Sequence, residues 1–174
     1  MKKTILYLML IFGALSCGHA QPTHGKTTDN AKFDNELNRL LSFTVPVMSV
    51  EELKNKLGEV TVLDAREREE YEVSHIPGAT YIGYKKIDET VLDSIEKDSP
   101  IVLYCSVGYR SEKIGEKLKK KGFTNVYNLY GSIFAWGNKG YPLLNGDGET
   151  THKIHTYNKK WSQWVDNPEI EKVW

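Results

Sequence analysis

The stretch Pro100-Ile-Val-Leu-Tyr-Cys105-Ser-Val-Gly-Tyr-Arg110-Ser111 constrains the fold more than any other. Ile101 to Tyr104 is an uninterrupted apolar run of strand length, the pattern of a buried strand. It ends at a cysteine, passes through a short loop containing Gly108, and leads into Arg110 and a helical pattern. That order delivers a thiol from a buried strand to the mouth of a helix. Helix N-termini carry unsatisfied N–H groups and a partial positive charge. A cysteine held there ionises more easily, and the thiolate is the reactive form.

The same alternation runs along the chain. Ser49 and Glu52 form a capping box that opens a helix through Leu57, ended by Gly58. Val60 to Leu63 reads as a short buried strand ending at Asp64, and Glu67 to Val73 as a brief charged helix with Tyr71 on one face. Ile76-Pro77-Gly78-Ala79 is a turn, followed by a short strand at Tyr81-Ile82. Ile87, Val91, Leu92 and Ile95 recur at helical spacing until Asp98-Ser99-Pro100 breaks the pattern. Ser111 to Lys121 predicts a helix that buries Ile114 and Leu118, with Gly122 as its C-terminal cap. Val126 to Leu129 is a further strand, and Gly131 to Asn138 a helix with Ile133, Phe134 and Trp136. Short strands alternating with helices predict an α/β fold, a largely parallel central sheet flanked by helices. Such sheets bind ligands outside the carboxyl ends of their strands, where Asp64 and Cys105 both fall.

A length of 174 residues fits one domain, expected over 45–145, with appendages. Residues 1–20 read as an export signal: Lys2 and Lys3 precede an apolar stretch from Ile5 to Leu15 that is too short to span a membrane well. Two processing routes fit it. Gly18-His19-Ala20 offers small residues to a Sec-type signal peptidase, which would release Gln21. Ala14-Leu15-Ser16-Cys17 resembles a bacterial lipobox with Cys17 as the lipidated residue, although a strong lipobox carries Leu where Ala14 stands. Either route predicts a periplasmic or lipid-anchored protein of the bacterial cell envelope, touching membrane only through an anchor at Cys17. Cys105 is then the sole thiol of the mature chain. Exported proteins normally commit cysteines to disulfides, so an unpaired one points to reactivity. Residues 21–44 read as a flexible tether from Gln21 to Asn30 and a short helix bearing Phe33, Leu37, Leu40 and Leu41. Residues 146–174 hold Trp161, Trp164, Trp174, His152, His155 and Tyr157, too aromatic for a disordered tail. This extension is expected to pack on the domain, with a helix from Asn158 to Val165. A formal net charge of zero gives no reason to expect nucleic acid as a partner.

Four pieces, in order, resemble the single-domain rhodaneses, a family of sulfurtransferases. They are Asp64-Ala65-Arg66, the turn His75-Ile76-Pro77-Gly78-Ala79, the loop from Leu103 through Cys105 to Arg110-Ser111, and Tyr130-Gly131-Ser132 through Trp136 with Gly140-Tyr141-Pro142. The resemblance implies a rhodanese-like fold and a Cys105 nucleophile in a loop of Ser106, Val107, Gly108, Tyr109 and Arg110. Asp64, Arg66 and His75 would support the site structurally. Four residues separate Cys105 from Arg110, one fewer than in the family's phosphatase and arsenate-reductase cousins, which favours sulfur over phosphate. The loop's N–H groups can curl around a thiolate or the outer sulfur of a persulfide. The implied mechanism is ping-pong: Cys105 takes a sulfane sulfur from a donor such as thiosulfate, then passes it to cyanide, a small thiol or a protein cysteine. It needs no metal or organic cofactor. His152 and His155 alone supply too few ligands for a metal. The rival reading is a non-catalytic interaction module of the same fold at the cell envelope, for which the terminal extensions would serve as docking elements.

Overall fold

The computed structural model describes residues 25–174. The expected export signal, Cys17 and the start of the expected tether lie outside the described residues. Among the described residues, five α-helices and seven strands run in the order α1 (Ala31–Leu40), β1 (Val47–Met48), α2 (Val50–Asn55), β2 (Thr61–Asp64), α3 (Arg68–Val73), β3 (Thr80–Tyr81), β4 (Ile101–Tyr104), α4 (Tyr109–Lys120), β5 (Val126–Leu129), α5 (Ser132–Asn138), β6 (Lys153–His155) and β7 (Glu171–Val173). The first five strands form one all-parallel sheet in the order β1-β5-β4-β2-β3. β4 lies at its centre, in register with β2 at Leu63↔Leu103 and with β5 at Leu103↔Asn128.

All four β4 side chains are buried, as a strand covered on both faces requires. Alternation sends them to opposite sides. Val102 and Tyr104 join the larger core with α1, α2 and α5, while Ile101 and Leu103 join a second core with Ile114 and Leu118 of α4. The capping box at Ser49 forms as the sequence predicts: the Ser49 hydroxyl accepts the Glu52 N–H, and the Glu52 carboxylate accepts the Ser49 N–H.

Three segments differ from expectation. The packed body begins well before residue 45. Phe33 and Leu37 of α1 are fully buried, and Phe33 stacks on Trp164 at 5.3 Å. The polar residues read as a tether cap this helix instead. Asn30 accepts the N–H groups of Lys32 and Phe33, Asp34 accepts Thr28 N–H at 2.9 Å, and Lys26 pairs with Glu52 at 2.6 Å. Second, the helical spacing over 87–95 yields only one 3-10 turn, Glu89–Leu92. Leu92 is the only one of its four apolar residues that is buried, so no continuous face rewards a longer helix. Third, the helix expected from Asn158 to Val165 is also a single 3-10 turn, Trp161–Trp164. Asn138 at the end of α5 stops it, donating to the Trp164 carbonyl and accepting the Asp166 N–H. The extension does pack against the domain: Ile154, Val165 and Ile170 are buried in the larger core, and β6 pairs in parallel with β7.

Candidate active site

Cys105 follows β4 directly, and its side chain is 1% exposed at the floor of a cavity. The chain turns sharply at Gly108, whose φ of +122° excludes most other residues. This turn starts α4 at Tyr109, two residues earlier than expected, so Arg110 sits in the helix's first turn. The Gly108 N–H donates to Cys105 Sγ at 3.1 Å. Beneath the loop, Asn128 Nδ2 donates to the Gly108 carbonyl at 3.0 Å, and the Ser111 hydroxyl lies 2.7 Å from Asn128 Oδ1. The start of α5 secures the other side. Ser132 Oγ accepts the Cys105 N–H, while Ile133 N–H and Phe134 N–H donate to the carbonyls of Cys105 and Ser106.

Arg110 is held rather than free. Its Nη1 and Nη2 donate to the Glu70 carboxylate at 2.6 and 2.7 Å, and Nη2 also donates to Ser106 Oγ at 2.9 Å. Burial pushes the Glu70 carboxyl up, but the hydrogen bond and charge of Arg110, the charge of Arg66 and the Glu67 N–H together hold it below the usual carboxylate range. Burial likewise pushes the Cys105 thiol up. The Arg110 charge and hydrogen bonds from Ser111 and Gly108 outweigh that and bring it below its ordinary value. The net result is a buried thiol biased toward thiolate, surrounded by donors that stabilise charge on sulfur.

The structure gathers Cys105, Ser106, Val107, Tyr109 and Arg110 around one cavity of about 310 Å³. Gly108 shapes that loop from behind. Asp64, Arg66 and His75 do not line the cavity. Asp64 and Arg66 form a buried ion pair at 2.6 Å, and Arg66 Nη2 also donates to the Ser74 carbonyl. Their pairing fixes the turn after β2, and the Asp64 carbonyl accepts the N–H groups of Ile82 and Gly83. The His75 ring stacks on Tyr71 at 4.0 Å, and its backbone bonds reciprocally to Leu144.

Sequence reading missed Glu70, Asn128 and Ser132. Glu70 is hidden in the charged run Glu67-Arg68-Glu69-Glu70, where any one carboxylate looks solvated. Asn128 left a usable signal, a polar residue inside a buried strand, which requires a specific partner. Ser132 stands in the Tyr130-Gly131-Ser132 piece of the resemblance, but its bond to the Cys105 N–H spans 27 positions and depends on how α5 meets the loop. Leu40, Tyr157 and Trp161, far apart in sequence, also reach the cavity.

Comparison with known families matches residues 49–139 to the rhodanese-like domain. YrkF of Bacillus subtilis strain 168, whose name proposes a sulfur carrier, is 34% identical over 55% of this chain and 53% of its own length. A thiosulfate sulfurtransferase GlpE of Coxiella burnetii is 30% identical over 47% of this chain and 75% of that protein. A tRNA uridine(34) hydroxylase of Streptococcus gordonii is 33% identical over 82% of this chain, but the match spans only 45% of the hydroxylase. Among solved structures, the rhodanese-like domain of the Anabaena protein Alr3790 superimposes with a TM-score of 0.54 at 28% identity, covering 57% of this chain and 79% of that one.

Proposed function

The chain belongs to the rhodanese-like domain family, and from that premise we propose that it is a sulfurtransferase working through a Cys105 persulfide. The observation that carries the proposal is the cradle around Cys105 Sγ: a buried thiol biased to the thiolate by Arg110, Ser111 and Gly108. The relatives bear names from different chemistries, so membership supports sulfur transfer in general, and the particular donor and acceptor are part of this proposal.

The Cys105 thiolate attacks the sulfane sulfur of the donor. A new S–S bond forms at Sγ, the donor's S–S bond breaks, and the leaving group departs with the electron pair; for thiosulfate it is sulfite. The loop N–H groups then face the terminal sulfur of the persulfide, where charge develops. A thiol, cyanide or protein cysteine removes that sulfur and restores the thiolate. Arg110 stabilises charge on sulfur and braces the loop through Glu70 and Ser106. Lys2, Lys3 and the apolar run from Ile5 support export, which would place this chemistry in the cell envelope.

Intact mass after incubation with thiosulfate and desalting tests the proposal. The expected result is a gain of one sulfur atom that cyanide removes and that Cys105→Ser never shows. Absence of the gain with thiosulfate, polysulfide and organic thiosulfonates alike, from a thiol shown to be free, would overturn it in favour of a non-catalytic interaction module.

A further inference from the structure

Three of the residues that line the cavity above Cys105 lie outside the family-matched span. Leu40 comes from α1, and Tyr157 and Trp161 come from the C-terminal extension. With Tyr84, Tyr109 and Val107 they make its walls predominantly apolar and aromatic. Its cations are already paired. Arg110 is bidentate to Glu70, and Lys85 at the rim faces Glu67 at 3.8 Å. The loop itself carries no other cation. A volume of about 310 Å³ falls within the range of sites that enclose organic small molecules. A small inorganic dianion would fill little of it and would find no net positive charge beyond the loop.

Tyr157 supplies an independent observation. Its backbone is left-handed, at φ +65°, which is unfavourable for a bulky side chain. The structure enforces this from both sides. The Tyr157 N–H donates to His155 Nδ1 at 3.1 Å, Asn158 N–H donates to the Thr156 carbonyl, and the fully buried Thr156 donates through its N–H to Val173 of β7. The ring that this strained turn presents is 57% exposed and lies over the Arg110 guanidinium at 5.5 Å. A glycine would satisfy the turn at lower cost, and an exposed ring gains little from burial. The ring's placement at the cavity mouth is what distinguishes it, and strain retained beside a reactive group marks function.

We propose that this cavity binds the organic group of a sulfane-sulfur donor, an aromatic or similarly flat apolar group, with Tyr157 and Trp161 as specificity-determining residues. The inference rests on the sulfurtransferase reading above. For a donor of the thiosulfonate class, R–SO2–S⁻, the Cys105 thiolate attacks the terminal sulfur. The Sγ–S bond forms, the S–SO2R bond breaks, and the sulfinate R–SO2⁻ leaves with the electron pair. Two anions enter the step and two leave it, with no proton or outside oxidant required. R rests against Tyr157 and Trp161 throughout.

The test compares benzenethiosulfonate with methanethiosulfonate, which share charge and reacting sulfur and differ only in R. The readout is the second-order rate of Cys105 persulfidation in the full chain, followed by quench and intact mass. The ratio of the two rates is compared among the unaltered chain, Tyr157→Gly and Tyr157→Phe. Glycine accepts φ +65°, so Tyr157→Gly removes the ring without disturbing the turn. The benzene-to-methane ratio is expected to fall about 10-fold or more in Tyr157→Gly, in line with the discrimination an apolar pocket provides. It is expected to survive in Tyr157→Phe. Intrinsic differences between the donors cancel in this comparison. Loading by both donors with the same ratio in the unaltered chain and Tyr157→Gly overturns this inference alone. A Tyr157→Phe ratio as low as that of Tyr157→Gly also overturns it. Loading by neither donor overturns the sulfurtransferase reading as well.

Discussion

Arg110 carries its positive charge beside Cys105, yet both of its Nη atoms are committed to Glu70. The pair therefore sets the thiol's ionisation by a balance. The guanidinium favours the thiolate, while the carboxylate behind it takes part of that effect away. Removing either partner shifts the balance in opposite directions. Arg110→Ala is expected to raise the apparent pKa of Cys105, because it removes the facing positive charge, and Glu70→Gln to lower it, because it removes the opposing negative one. The pH dependence of iodoacetamide alkylation reads both shifts. Matching shifts of the same sign would show that the two residues act only as a mechanical brace. At this scale the sequence disclosed Cys105 and Arg110 because their spacing is local. Glu70 is 40 residues from its partner. Its identity as the one buried carboxylate among four charged neighbours depends on how α3 lies against the loop.

Among the elements, α5 contributes more to the site than its 7 residues suggest. Its first turn holds the carbonyls of Cys105 and Ser106, so the loop is positioned by two helix N-termini, α4 and α5. The chain enters α5 through Gly131 at φ +71°, where an added Cβ would lie 2.6 Å from Ala135 Cβ and 2.7 Å from Thr28 Cγ2. Neither neighbour is the end of a long side chain that can swing aside. Gly131→Ala is expected to cost about 2–4 kcal/mol from left-handed backbone strain plus overpacking, measured by urea denaturation. It should also slow Cys105 loading. Elements were legible in sequence where a short apolar run or a cap fixed them locally, as in β4, β5 and α2. The 87–95 segment and the 158–165 segment misled because helical spacing is necessary for a helix but not sufficient. Each lacks a long enough buried face: the 87–95 segment buries only Leu92 although Asp88 caps its start, and the 158–165 segment ends where Asn138 donates to the Trp164 carbonyl.

On the scale of the whole molecule, the segments at either end of the described chain meet. Asn30 donates to Asp166 across 136 positions, Lys139 pairs with Asp29, and Phe33 stacks on Trp164. No local pattern could disclose such contacts, which is why the short helix was expected outside the domain and the residues up to Asn30 as a tether, where both are packed against it. Residues 146–174 add Ile154, Val165 and Ile170 to the larger core. Deleting them is expected to remove about 5 kcal/mol or more, since each buried side chain of this kind contributes roughly 1.5–3 kcal/mol. A fall in the urea midpoint, together with dye binding to newly exposed apolar surface, would register the loss. An unchanged midpoint would show that the extension packs without stabilising.

The route of the polypeptide also imposes an order in time. A nascent chain released as far as Asn145 already carries Cys105, Gly108, Arg110 and the α5 turn that supports them, but not Tyr157 or Trp161. At ordinary elongation rates the 16 residues from Gly146 through Trp161 follow roughly 1–3 seconds later. During that interval the thiol has its loop and lacks its aromatic wall. Any partner that shields the emerging chain would therefore protect the most reactive atom of the protein before the protein can choose what reaches it.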